Sequence, residues 1–177
     1  MADAEIAFDR ALHERPDGDG ERSGPRELTT TLFDAQAAPE ILARLERLTP
    51  TTQARWGKMD VAQMLCHVTR ALHTPTGALV PPPLPWPVRM FGRLIKRHAL
   101  GDAVLARNAP TSTALKVVAP CEFAAEKAAF VDAFRILTAG PHTVKAPQHV
   151  FFGPMTSAEW GRLMFKHIDH HFRQFGV

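Results

Sequence analysis

Apolar residues recur at helical spacing in several stretches of the chain, and the last stretch is the most regular. Plotted at about 100° per residue, Trp160, Leu163, Met164, Phe165, Ile168, Phe172 and Phe175 cover an arc of roughly 200°. Arg162, Lys166, Asp169 and Arg173 fill the opposite side. Thr156 followed by Glu159 reads as a capping box, with Met155 and Trp160 at the flanking staple positions. Gly176 supplies a stop, so the pattern predicts a helix of roughly five turns.

Upstream, Ile41, Leu42, Leu45 and Leu48 predict a first helix over 39–48, ended by Thr49-Pro-Thr-Thr52. A second helix starts at Asp60, with Gln63 three residues on and Met59 and Met64 as the staple pair. Its stripe is Val61, Met64, Leu65, Val68 and Leu72. Residues 74–87 hold six prolines and read as a long crossover, barred from helix through Pro81-Pro-Pro83. Val88 to His98 predicts a shorter basic helix with Phe91, Leu94 and Ile95 packed inward and Arg89, Arg93, Lys96 and Arg97 solvated. Ala114 to Val118 reads as a short strand. Glu122 to Ala139 predicts a strong helix carrying Phe123, Phe130, Val131, Phe134 and Leu137, stopped by Gly140-Pro141. The expectation is an all-α fold of four principal helices plus the basic one. The long connections let the second and last principal helices face each other.

Composition and charge refine this picture. With 177 residues, 45% hydrophobic and 22% charged, the chain suits one soluble globular domain. Residues 1–27 carry eight acids and four arginines, hence −4 of a net +3, and contain Pro16-Asp-Gly-Asp-Gly20. They read as an acidic flexible tail, with a short helix near Ile6 to Leu12, ahead of a domain over 28–177. The body is then +7 but has no block of consecutive bases, so an ordinary solvated surface is preferred to a nucleic-acid face. No apolar run of about 18 residues and no signal-peptide core occurs, so the expected setting is the cytoplasm, without membrane insertion. Cys66 and Cys121 alone indicate no disulfide framework and have no histidine at a spacing that would mark a nucleophile.

The candidate chemistry lies in the histidines. His167 and His171 fall about 20° either side of Trp160, inside the apolar arc, and are one turn apart. Two imidazoles so placed can converge on one cation, or can be core histidines with buried hydrogen-bond partners. His67 lies at the edge of the second helix's stripe, whereas Cys66 and His73 point away from it. Alone it reads as structural; as a partner for His167 and His171 it becomes a candidate for the same role.

The segment His167-Ile-Asp-His-His171 with Arg173-Gln174 resembles the His-x-x-His-His-Arg-Gly-Gln motif of the DinB/YfiT-like superfamily of metalloenzymes, without the glycine between Arg and Gln. Arg55-Trp-Gly-Lys-Met59, Gln63-Met-Leu-Cys-His67, Phe152-Gly-Pro154, Glu159-Trp-Gly-Arg-Leu163 and Lys166 to Gly176 are similar to the signatures of an uncharacterised bacterial family within it. The resemblance spans about residues 28–177. It implies a four-helix bundle binding a divalent metal through one histidine of the second helix and a His-x-x-x-His pair of the last, here His67, His167 and His171. It also implies a thiol-dependent S-transferase or a metal-dependent hydrolase.

Three neutral imidazoles with an open position suit catalysis better than a structural ion, which takes four protein ligands. Imidazole suits zinc or nickel, with iron and copper also compatible. The expected partners are a small-molecule substrate and, for the transferase, a low-molecular-weight thiol; a homodimer is the assembly considered. His170 is the candidate for orienting a ligand or transferring a proton, Asp169 reads as an ion-pair partner, and Arg173 as a solvated residue. The competing hypothesis is a non-enzymatic bundle binding a small apolar ligand or a partner, with a structural metal or none.

Overall fold

The computed structural model describes residues 30–101, 103–107 and 111–177. The acidic tail over 1–27 and its short helix lie outside the described residues. Five α-helices are described: α1 (Ala37–Glu46), α2 (Val61–Thr76), α3 (Trp86–Leu100), α4 (Phe123–Thr138) and α5 (Ser157–Gln174). Two 3-10 turns, Thr113–Leu115 and Pro141–Thr143, and one two-stranded antiparallel hairpin complete the order. In the hairpin Gln148 pairs with Pro154 and His149 with Gly153. The fold class is all-α, and no described helix is long and apolar enough to cross a membrane.

Local signals set the helix starts. Asp60 accepts from the Gln63 amide at 2.8 Å while the Gln63 side chain accepts from the Asp60 amide at 3.2 Å. Thr156 and Glu159 make the same reciprocal pair at 3.2 and 2.8 Å. Each box satisfies two of the backbone donors that a helix start leaves open. The apolar stripes then merge into one core. Ile41 and Leu45 of α1, Met64 and Leu65 of α2, Phe130, Phe134 and Leu137 of α4, and Trp160, Ile168 and Phe172 of α5 are all essentially inaccessible. Fully burying such side chains contributes about 1.5–3 kcal/mol each before the entropy of ordering them.

Three expectations are corrected. First, α2 continues through Pro75 to Thr76, shortening the crossover to 77–85. Proline removes the amide that would serve the carbonyl of Ala71, and the Thr74 hydroxyl donates to that carbonyl instead, at 2.7 Å. The Pro75 carbonyl in turn accepts from the amides of Lys145 and Ala146 at 2.8 and 3.0 Å. Second, no strand forms over 114–118; Ser112 caps a 3-10 turn by accepting from the Ala114 amide at 3.4 Å.

Third, α3 is turned about its axis relative to its hydrophobic pattern. Leu94 is 77% exposed and Trp86 70%, while Gly92 and Leu100 are buried. Polar groups hold it in place. Lys96 pairs with Glu159 at 2.7 Å and donates to the Pro154 carbonyl at 2.5 Å. From α5, Lys166 donates to the carbonyls of Ala99 and Gly101 at 2.6 Å each, and Arg162 to that of Leu100 at 3.4 Å. These cations meet the negative end of the α3 dipole, so the polar side of α5 is in part an attachment surface. Gly92 is needed there because any side chain would collide with the Phe151 carbonyl.

Candidate metal centre

α2 and α5 pack side by side, and their histidines meet across that contact. His67 and His167 approach Nε2 to Nε2 at 3.0 Å. The ring centroids of His67 and His171, and of His167 and His171, are 4.8 Å apart in each case. One ligand nitrogen from each of the three lies within 4.8 Å of the other two, a spacing from which they could share an ion. His67 and His171 are buried and His167 is half-buried.

The tautomers of two rings follow from their outer partners. His67 Nδ1 lies 2.9 Å from the Leu115 carbonyl, which only accepts, so Nδ1 carries the hydrogen and the Nε2 lone pair faces inward. His171 Nδ1 lies 2.8 Å from Gln174 Oε1, with the same consequence for its Nε2. Gln174 is itself buried and anchored, since its Nε2 donates to the Trp56 carbonyl at 2.7 Å. A backbone carbonyl or amide oxygen on the far nitrogen is the arrangement that fixes a ligating imidazole.

Burial also keeps the cluster uncharged. It lowers the pKa of His67, and that of His167 well below the usual histidine range, where the neighbouring histidines add to the effect. His171 is brought down to about 3 by burial and then by His67. Neutral imidazole is the form that binds a cation.

His170 stands outside the group of three. Its ring meets that of His171 edge-on at 5.1 Å and Trp56 at 5.8 Å. Burial lowers its pKa, opposed by a hydrogen bond with the Leu105 backbone. The Arg107 guanidinium lies over Trp56, 4.4 Å from the ring centroid. His73 is half-buried on α2 and not in the cluster. Asp169 is an ion-pair partner as read, but a largely covered one: it meets Arg44 of α1 and Arg173 at 2.8 Å each, with its side chain 15% exposed.

Four contributors were not singled out as site residues from the sequence: the Leu115 carbonyl, Gln174 as orienter of His171, Trp56, and His149. His149 accepts from the amides of Phe151 and Phe152 at 3.2 Å each and sits edge-on to Trp160 at 5.3 Å. Burial takes its pKa to about 4. It closes the hairpin turn against Trp160 of α5. Gln174 and Trp56 left a trace, Gln174 as the terminal residue of the motif the last helix resembles and Trp56 within the Arg55-Trp-Gly-Lys-Met59 signature. The open groove along α4, lined by Phe123, Lys127, Val131 and Arg135, shares no residue with the histidines.

Comparison with family models, with curated proteins and with solved structures finds no match for this chain.

Proposed function

We propose that the chain is a DinB/YfiT-like four-helix bundle, built from α1, α2, α4 and α5, whose His67, His167 and His171 bind one divalent cation for a metal-dependent reaction. The observation that carries this reading is the meeting of three imidazoles from positions 67, 167 and 171 within 4.8 Å. The donor set fits such an ion: burial favours neutral rings, and Leu115 and Gln174 turn two lone pairs inward. Zinc or nickel, and next iron or copper, suit three imidazoles; with a position left open, such an ion acidifies a bound water to a pKa of about 7 or activates a thiolate. That chemistry serves a hydrolase or an S-transferase using a low-molecular-weight thiol, acting on a small molecule in the cytoplasm. The chain's own contribution is to hold the rings in place and uncharged. His170 adds a neutral imidazole beside His171, in an orienting or proton-transfer role.

Metal titration of chelator-stripped protein tests the site. His67→Ala, His167→Ala and His171→Ala should each lose most of the affinity, His170→Ala less, and His73→Ala none. Undiminished binding by His67→Ala removes the three-histidine site. The outward row Trp86, Met90 and Leu94 favours a second reading, a module that binds an apolar partner. That reading takes over if the wild type binds no cation.

A further inference from the structure

The segment between α3 and α4 is tied to one face of α2 at successive turns. Gln63, Cys66 and Arg70 occupy that face at i, i+3 and i+7. Gln63 Nε2 donates to the Ala119 carbonyl at 3.2 Å, and Arg70 Nη1 to the Lys116 carbonyl at 2.7 Å. Between these two ties, Cys66 meets Cys121, the residue preceding the α4 cap Glu122, and Glu126 of the first turn of α4. One donor atom from each of Cys66, Cys121 and Glu126 lies within 4.8 Å of the other two, and all three residues are half-buried. Both cysteines are free.

We propose that Cys66, Cys121 and Glu126 form a second cation site, distinct from the histidines, that takes a thiophilic divalent ion of the zinc class. Two sulfurs and a carboxylate are a zinc-type donor set, and soft sulfur selects such ions over magnesium or calcium. Binding displaces the two thiol protons to solvent and leaves each sulfur coordinated as thiolate, with no change of oxidation state. Two thiolates and a carboxylate overbalance a divalent ion by one negative charge; burial and then the Glu126 carboxylate push the Cys66 thiol up to about 11 without an ion, the Arg70 guanidinium acts in the opposite sense, and the charge of the ion itself stabilises the thiolates. With three protein donors the ion keeps one position for water, and its effect on the fold is local. It clamps the segment that carries the Leu115 carbonyl onto α2, and that carbonyl orients His67.

The inference does not depend on the histidine site. The test uses the full reduced chain, stripped of metal and titrated with cadmium, whose bond to sulfur gives an ultraviolet charge-transfer band that imidazole does not. The wild type should develop the band to saturation at one cysteine-bound ion per chain, any histidine-bound ion adding to the total without adding to the band. Cys66→Ser and Cys121→Ser should abolish it, and Glu126→Gln should weaken binding by roughly tenfold or more. His167→Ala should leave the band intact. As a check independent of folded variants, two equivalents of zinc, enough for both sites, should slow alkylation of both cysteines in the wild-type protein. No band in the wild type, a band that survives Cys121→Ser, or its loss in His167→Ala would each overturn the second site.

Discussion

Gln174 separates orientation of a ligand from ligation itself, and Gln174→Met isolates that role. The substitution keeps the volume of a buried side chain and deletes two hydrogen bonds, one to His171 Nδ1 at 2.8 Å and one to the Trp56 carbonyl at 2.7 Å. Each partner left unpaired costs about 1–3 kcal/mol, so the apo protein should lose about 2–6 kcal/mol of stability. The separate effect is on the cation. With Gln174 Oε1 gone, nothing favours the His171 tautomer that points its Nε2 lone pair inward. Loss of such an outer partner typically weakens metal binding tenfold to a hundredfold, or about 1.4–2.8 kcal/mol. The assay is calorimetric zinc titration of wild type and variant well below both unfolding midpoints, with Arg173→Ala as control. Arg173 lies on the same turn with a side chain 49% exposed, and its loss should not move the affinity. If Gln174→Met binds zinc within twofold of wild type while losing stability, Gln174 is a packing residue and the tautomer argument fails.

Trp160→Ala should cost about 3–5 kcal/mol, because the indole is 1% exposed and its Nε1 donates to the Ala146 carbonyl at 3.0 Å; urea unfolding that shifts by less than about 1 kcal/mol would show the core to be centred elsewhere. Stability of the metal-free protein should fall as pH drops from about 6.5 to about 4. His149 at about 4 and His171 at about 3 are depressed in the fold, so the unfolded chain takes up protons first across that window. A urea midpoint that stays level between pH 7 and pH 5 contradicts the neutral burial of these rings, and His149→Gln, which retains an acceptor, should flatten part of the slope.

Features encoded within one turn of helix were legible in the sequence. The Asp60/Gln63 and Thr156/Glu159 boxes depend only on residues three apart, and the shared face of His167 and His171 follows from helical period alone. The approach of His67 needed the additional expectation that α2 and α5 face each other, and the 3.0 Å contact with His167 agrees with it. What was not legible depends on backbone atoms brought from afar. The Leu115 carbonyl lies 48 residues from His67, and no side chain at position 115 announces it. Pro75 stays in helix because the adjacent Thr74 hydroxyl reaches the stranded carbonyl, a local rescue that a rule against proline overlooks. For α3 the hydrophobic pattern pointed the wrong way, since its seating follows from a glycine approach and three cations rather than from apolar burial.

That seating has a consequence for how the molecule opens. Helices α1, α2, α4 and α5 share one apolar core, so exposing their amides to solvent requires breaking it. Among the described residues helix α3 gives that core only Leu100, at its last turn, and beside the close approach of Gly92 to Phe151 it is moored by hydrogen bonds and an ion pair, which water and salt replace at small cost. Its amides therefore belong to a unit of lower stability than the rest, one that exchanges hydrogen through a local opening while the four-helix core and its histidines stay closed.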